Sequence, residues 1–155
     1  MKIKVLAVGG KMPDWVTQGT REYQKRLPSE INLTFVDIPL GYRAKNQPVI
    51  RAIEAEGEAM LKQVAAADRV VALEVKGKAW STTQLAEQLA EWQLSGQNCT
   101  LLIGGPDGLA ESCLNRADQK WSLSPLTLPH PLVRVVLAEQ IYRAWSINAG
   151  HPYHK

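Results

Sequence analysis

The sequence predicts an α/β protein with a mainly parallel sheet and helices on both faces. Short β-branched segments alternate along the chain with segments of helical periodicity, as they do where helices connect parallel strands. The segment at residues 69–75 is almost wholly apolar, which is typical of a parallel strand covered on both faces. No repeat or linker interrupts the alternation, so we predict one domain over residues 1–155.

The alternation gives five strands and five helices. The predicted strands are residues 2–8, 31–38, 69–75, 100–103 and 121–123. The first helix begins at Pro13 and is broken by Pro28, and the second carries its apolar face over residues 49–64. The third follows Ser81 and Gln84, which form a capping-box pattern, and ends near Gly96. The last two span residues 109–117 and 131–148.

Composition sets limits on the class of protein. The chain has 155 residues, of which 45% are hydrophobic and 21% charged, as in ordinary globular proteins. No run approaches the roughly 18 apolar residues of a membrane span, and the apolar start is too short for a signal peptide. Cys99 and Cys113 lack metal or redox spacing, so we expect a reduced, cytoplasmic protein. The net charge of +3 permits binding to a polyanion without requiring it.

Two strand ends near residues 101–108 and 121–128 are candidates for a ligand site. Residues 104–108 read Gly-Gly-Pro-Asp-Gly after an apolar strand. The glycines would let a ligand approach the main-chain N–H groups closely, but the same sequence is also typical of a plain tight turn. Residues 123–128 have few polar side chains. They suit an adenine ring held by main-chain groups and an apolar wall, or simply a buried strand end.

The last helix is apolar nearly all round over residues 132–147. Such a helix is buried on most sides, either within its own fold or at a subunit interface. Glu139 and Arg143 lie one turn apart and are expected to pair. Arg134 is predicted to be an exposed or tunnel-facing cation.

The three histidines all lie from residue 130 onward. The spacing of His130 from the tail disfavours a metal cluster, and we predict no metal site. The tail residues His151, Tyr153 and His154 either fray or stack on a base and move a proton. Six further cations could bind phosphates or simply face water: Lys11, Arg21, Lys25, Arg26, Arg43 and Lys45. Tyr42 lies beside Arg43 in the proline-bounded loop and belongs to the same group of candidates.

Taken together, three long motifs resemble the ribosomal RNA large subunit methyltransferase H family, whose members are minimal SPOUT-class enzymes. They are residues 102–108, residues 121–134 and residues 142–147. The segments at residues 8–16 and 151–155 are similar as well, so the resemblance covers essentially the whole chain.

The resemblance implies a C-terminal trefoil knot, a homodimer and S-adenosylmethionine as cofactor. It also implies methylation of N3 of a pseudouridine in large-subunit (23S) ribosomal RNA, within the assembled ribosome. The positions that match the cofactor motif are Leu73, Gly104, Leu123, Ser124, Pro125, Leu126, Thr127 and Leu128. Proline is unusual at position 125 in that motif, and it removes one main-chain donor.

N3 of pseudouridine must lose a proton to attack well, so the reaction favours a base and a cation for the developing charge. The candidate bases are His154 and Tyr153, and the candidate cations are Arg134 and Arg143. Since so small a chain lacks a separate RNA-binding domain, we expect one protomer to hold the cofactor and the other to supply surface and tail. The alternative is a non-catalytic ribosome- or RNA-binding module that retains the fold. A nicotinamide-dependent enzyme is disfavoured because the first strand lacks the Gly-rich fingerprint.

Overall fold

A computed structural model describes residues 1–155 as one five-stranded sheet, all of whose strand pairs are parallel. The strands are β1 (Lys2–Val8), β2 (Asn32–Ile38), β3 (Arg69–Ala79), β4 (Cys99–Ile103) and β5 (Gln119–Ser122). The helices are α1 (Asp14–Gln24), α2 (Ile50–Leu61), α3 (Thr82–Ser95), α4 (Glu111–Arg116) and α5 (His130–Ala149), followed by a 3₁₀ helix, Pro152–His154. Their spatial order in the sheet is β2-β1-β4-β3-β5.

Helices cover both faces of the sheet, as predicted. Alternate residues of β1 point to opposite sides: Val5 belongs to one buried cluster and Leu6 to the other. The larger cluster joins the sheet to α3 and α5, with Tyr23 of α1 packed against it. The smaller cluster joins the sheet to α2 and α4. This double burial explains why β1, β3 and β4 are nearly continuous apolar runs.

Predicted helix starts and ends are mostly confirmed. Ser81 Oγ accepts a hydrogen bond from the Gln84 N–H, and the Gln84 side chain accepts one from the Ser81 N–H, so the capping box is present. Gly96 ends α3 in the left-handed conformation, with φ of 72°. In contrast, α1 ends at Gln24 rather than continuing to Pro28.

Strand β3 continues four residues beyond the predicted end at residue 75. Its pairing with β5 shifts register between Leu73 and Lys78, so the intervening residues bulge out of the ladder. A Cβ at Gly77 would stand only 2.7 Å from the carbonyl carbon of Lys120 in β5. Glycine therefore allows the second half of β3 to approach its neighbour, a requirement that periodicity alone does not reveal.

Helix α5 packs against both α1 and α3, which confirms the prediction that most of its sides are buried. A Cβ at Gly19 of α1 would lie 3.1 Å from Val135 of α5, and the rings of Tyr23 and Tyr142 are 6.4 Å apart. The two helices therefore run parallel. No helix of the chain is both long and apolar enough to cross a membrane.

Candidate functional site

The cavity that brings together most of the predicted cofactor residues, which we call the main cavity, lies where β3, β4 and β5 end, at the carboxyl edge of the sheet. Its volume is about 240 Å³, and most of its wall is apolar. Parallel sheets commonly place their ligand sites at this edge. The first turn of α5 closes one side, with His130 and Val133 facing the cavity.

Seven of the eight predicted cofactor residues line this cavity: Leu73, Gly104, Leu123, Ser124, Leu126, Thr127 and Leu128. Residues from three separated segments of the sequence thus meet at one place. Pro125 is the exception, since it is exposed and does not line the cavity. The lost N–H of Pro125 therefore removes no donor from the cavity wall. The role of the other seven in binding a cofactor stays a prediction.

The Gly-rich turn after β4 is tightly folded. A Cβ at Gly104 would lie 2.6 Å from the carbonyl carbon of Gly108, so any side chain at position 104 would force the turn apart. Gly108 has φ of +84° and its N–H donates to the Gly105 carbonyl. The turn is therefore both a tight turn and a cavity wall, and the two interpretations of its sequence are compatible.

An ion-pair network centred on the buried carboxylate of Glu56, which sequence analysis missed, supports this turn. Arg43 Nη1 lies 2.8 Å from Glu56 Oε2, and Arg43 Nη2 lies 3.0 Å from Asp107 Oδ2. Glu56 is 3% exposed and also accepts the Gly41 N–H at 2.9 Å. The network ties the proline-bounded loop to the Gly-rich turn. Arg43, one of the cations expected either to meet phosphates or to face water, is therefore already paired.

The loop after β5 contains main-chain N–H groups with no partner in the protein. Ser124 Oγ accepts the Leu126 N–H at 2.9 Å, which fixes the bend of this loop. The N–H groups of Thr127 and Leu128 have no partner within the protein. Thr127 and Leu128 both line the cavity, and the prediction that main-chain groups of residues 123–128 bind a ligand there stays a prediction.

Two ionisable side chains that were not assigned to the cavity from sequence also line it, Glu74 and His130. Glu74 directly follows Leu73 at the end of the regular part of β3, and this adjacency was the available signal. Glu74 is the one acidic residue among those that line the cavity.

The C-terminal tail packs against α5, which disfavours fraying, the first of its two predicted alternatives. Tyr153 Oη donates to Glu139 Oε1 at 3.1 Å, and its ring lies 4.6 Å from that of Tyr142. Burial and the neighbouring Glu139 carboxylate raise the pKa of Tyr153 to about 12. His154 Nδ1 lies 3.4 Å from Ser146 Oγ. Glu139 and Arg143 form their predicted ion pair, with Arg143 Nε 2.8 Å from Glu139 Oε1.

None of the tail residues reaches the cavity of its own chain. The cavity contacts the first turn of α5, whereas the tail follows its last residue, Ala149. At 1.5 Å per residue, the 20 residues of α5 separate these two ends by roughly 28 Å. Arg143, His151, Tyr153 and His154 are thus grouped with one another and kept apart from the cavity.

Arg134 is buried, so the first of its two predicted placements, that of an exposed cation, is wrong. It is 4% exposed and does not line the main cavity. Its Nη1 donates to Asp37 Oδ1 at 2.5 Å, at the end of β2. The 3.6-residue period explains the difference, because Val133 occupies the cavity side of α5 and turns its neighbour away.

Among the remaining predicted cations, Lys25 and Arg26 both pair with Glu22. Lys11, Arg21 and Lys45 are exposed and form no ion pair. Tyr42 is 84% exposed. No group of three or more His, Cys, Asp or Glu side chains is arranged to hold a metal ion, and both cysteines are free.

Comparison with known proteins assigns the chain to a family. A family model described as a predicted SPOUT methyltransferase matches residues 1–154. Two curated relatives are both named ribosomal RNA large subunit methyltransferase H. The one from Hahella chejuensis is 57% identical, covering 100% of this chain and 99% of the relative. The one from Ectopseudomonas mendocina is 58% identical and covers both chains completely.

Solved structures agree on the fold. A methylase family protein from Haemophilus influenzae Rd KW20 superposes with a TM-score of 0.56 at 9% identity, covering 96% of this chain and 66% of that one. A methylase family protein from Neisseria gonorrhoeae superposes with a TM-score of 0.52 at 15% identity, covering 91% and 80%. At these identities the likeness concerns the fold alone.

Proposed function

We propose a specific reaction for this chain, which belongs to the ribosomal RNA large subunit methyltransferase H family of SPOUT methyltransferases. The chain is accordingly a methyltransferase of large-subunit ribosomal RNA. In our proposal it transfers a methyl group from S-adenosylmethionine to N3 of a pseudouridine in the 23S RNA of the assembled, cytoplasmic ribosome.

The observation that carries this proposal is the main cavity. Leu73, Leu123 and Leu126 offer an apolar wall that suits the adenine ring, and the free N–H groups of Thr127 and Leu128 suit its ring nitrogens. The Glu74 carboxylate suits the ammonium group of the methionyl part. When bound, S-adenosylmethionine supplies a methyl group on a sulfonium, which is already activated for transfer. The cavity residues then act chiefly by orienting the reacting atoms.

The separation of tail and cavity supports a homodimer with a composite site. Because α5 keeps its own tail roughly 28 Å from its own cavity, residues of the tail can act only on the cavity of a second copy. Trp15 of α1 and Leu132 of α5 are 50% and 43% exposed, and the parallel packing puts both at the same end of the two helices. This apolar surface suits an interface with a second copy.

In this arrangement, a residue of the partner's tail removes the proton from N3. A ring nitrogen of an imidazole can accept a proton, so His154 suits the base. Tyr153 is less suitable, since a phenol with a pKa of about 12 stays protonated. Arg143 lies beside Tyr153, with its guanidinium carbon 5.0 Å from the ring centre, and suits the negative charge that develops on the uracil ring. Arg134 lies outside the cavity and would influence that charge only at a distance.

Family membership also leads us to propose the trefoil knot. Gly104, Gly105 and Gly108 belong to one connection, and Leu123, Leu126 and Leu128 belong to another, yet all of them line the same cavity. A knot that threads one of these connections through the other would hold both walls in place. Such threading is rare among proteins and calls for a specific benefit, which a preformed cavity would provide.

The test is methylation by the purified dimer. Ribosomes from cells lacking this chain are incubated with the protein and S-adenosylmethionine, and the digested RNA is examined by mass spectrometry. We expect one added methyl group on N3 of a pseudouridine. Calorimetry with S-adenosylmethionine is run in parallel. Ribosome binding without cofactor binding or methyl transfer would instead identify a non-catalytic module.

A further inference from the structure

A second depression, the α1 groove, lies between α1, the end of β2 and the start of α5. Its volume is about 280 Å³ and its wall is mainly polar. Three cations line it, Lys11, Arg21 and Arg134, together with the carboxylates of Asp14 and Asp37. Cations therefore outnumber carboxylates in this groove.

The Arg134 guanidinium is only partly satisfied. Nη1 donates to Asp37, but Nε and Nη2 are buried and have no hydrogen-bond partner. A buried cation with unpaired N–H donors is stabilised when a further anion accepts hydrogen bonds from them. Asp37, being half exposed, neutralises Arg134 incompletely, since water screens an exposed charge.

The flexible side chain of Met12 lies near Arg134, and both residues line the groove. The position of a Cβ on Gly9 would be 3.2 Å from Met12 Cε and 3.7 Å from Arg134 Nη2, so the Met12 methyl and the guanidinium lie against the same glycine. Gly9 also has φ of +148°, which a side chain disfavours. Met12 is unbranched and readily moves. Displacing its methyl group would expose Nη2 to a ligand in the groove.

The groove lies beside the main cavity along one edge of the sheet. Lys11 follows β1, and Asp37 is the second-to-last residue of β2. The cavity residues lie at or after the ends of β3, β4 and β5. With the order β2-β1-β4-β3-β5, groove and cavity are neighbours. Strands are about 4.8 Å apart, so β2 and β4 are separated by roughly 10 Å. A nucleotide presented to the cavity can therefore place an adjacent phosphate at the groove.

We propose that the α1 groove binds a backbone phosphate of the RNA substrate through Lys11, Arg21 and Arg134. This inference rests on the proposed function, because the phosphate belongs to the strand whose base enters the cavity. Arg21 and Lys11 contact the phosphate from the exposed side, and Arg134 attracts it from the buried side. Contacts of this kind set the register of a nucleic acid without reading its sequence.

Ribosome affinity as a function of salt tests this proposal. Dissociation constants of the labelled dimer for ribosomes are measured over a range of KCl concentrations for wild type, Arg21→Ala and Lys62→Ala. Lys62 is exposed at the end of α2, so its substitution removes one positive charge outside the groove. We expect Arg21→Ala to weaken binding severalfold and to reduce the slope of log affinity against log salt by about 0.7–0.9. Lys62→Ala should match wild type.

Asp37→Asn gives a change of opposite sign. Removing this carboxylate frees Arg134 for the phosphate, so ribosome binding should tighten severalfold, while calorimetric binding of S-adenosylmethionine stays unchanged. Equal salt slopes for Arg21→Ala and wild type would overturn the proposal. The proposal would also be overturned if inorganic phosphate stabilised the protein while Arg21→Ala left its affinity for ribosomes unchanged. That result would indicate a site for free phosphate. Dissociation of the dimer by Arg21→Ala would overturn it too, since the groove would then belong to a subunit contact.

These outcomes are independent of catalysis. Ribosome binding is measured without cofactor, so failure of the proposed methyl transfer leaves the salt slopes interpretable. Conversely, an Arg21→Ala protein that methylates at saturating ribosome concentration but shows the reduced slope would support the phosphate site and the proposed function together.

Discussion

Val133 and Arg134 are neighbours in the first turns of α5, yet they face two different depressions. Val133 lines the main cavity at the ends of β3, β4 and β5, and Arg134 lines the α1 groove. Adjacent helical residues diverge by about 100° around the axis, which is enough to send one to each side. The start of α5 is thus the wall that the candidate cofactor cavity shares with the candidate phosphate site.

Substitution of Gly104 should disable the cavity. In Gly104→Ala, the new Cβ would lie 2.6 Å from the backbone of Gly108, so the turn must shift and narrow or distort the cavity. We expect affinity for S-adenosylmethionine to fall by about tenfold or more, which corresponds to about 1.4 kcal/mol, by calorimetry. Gly10→Ala is the matched control, because a Cβ at Gly10 meets nothing within 4 Å. Normal affinity in Gly104→Ala would contradict the assignment of this cavity.

Mixing two inactive variants should restore activity if the site is composite. Gly104→Val disables the cavity and leaves the tail intact, whereas deletion of residues 151–155 removes the tail and leaves the cavity intact. After exchange of subunits at equal concentration, half of the dimers are mixed and each has one complete site, so about a quarter of wild-type methylation should return. Each variant mixed with itself is the control. Absence of recovery in dimers shown to be mixed would contradict a tail acting on the partner's cavity.

The rate of methyl transfer should not depend on ionisation of Tyr153. Burial and Glu139 raise the pKa of its phenol to about 12, so the phenolate that could accept a proton is scarce below that pH. The single-turnover pH profile of Tyr153→Phe should therefore have the wild-type shape between about pH 6 and 10. In His154→Ala, by comparison, the single-turnover rate should fall at every pH in this range. An alkaline rise in wild type that Tyr153→Phe abolishes would identify Tyr153 as the base.

The Arg134–Asp37 pair should contribute to stability. Asp37→Ala leaves the buried guanidinium of Arg134 without its ionic partner, but Asp37 is 52% exposed, so the loss is smaller than for a fully buried pair. We expect the free energy of unfolding in urea to fall by about 1–2 kcal/mol. Glu54→Ala is the control: Glu54 is exposed, makes no ion pair, and should change stability by less than about 0.5 kcal/mol. Equal stabilities for the two variants would mean that Arg134 needs no partner.

Both cysteines should be unreactive in the native state. Cys99 and Cys113 are buried, and burial raises the pKa of Cys99 to about 12 and that of Cys113 in the same direction. The thiolate is the reactive form, so an aromatic disulfide reagent at pH 8 should label neither thiol until urea unfolds the chain. The same shift gives a pH dependence. The neutral Cys99 thiol supports folding below its ordinary pKa, and that support is lost as pH rises toward about 12. Rapid labelling of the native protein would contradict the buried placement.

The sequence by itself determined the order of the elements and the segments that form the site. Apolar runs and β-branched residues predicted each strand to within a few residues, except the C-terminal half of β3, and Ser81 with Gln84 marked the start of α3. These are local signals, because the period of the apolar pattern and the chemistry of a cap depend on neighbours in the chain. The motifs at residues 102–108 and 121–134 likewise placed Gly104 and Leu123 at one site.

Only the tertiary structure decided which way the charged side chains point and which of them meet. Arg134 is buried against Asp37, 97 positions away, and Arg43 pairs with Glu56 and Asp107 across the chain. Such pairs depend on strand order and on the rotation of each helix, to which apolar periodicity gives few clues when, as in α5, almost every side is apolar. The length of α5 is readable from sequence, but only the fold shows that its two ends lead to different sites. That separation keeps the tail from its own cavity.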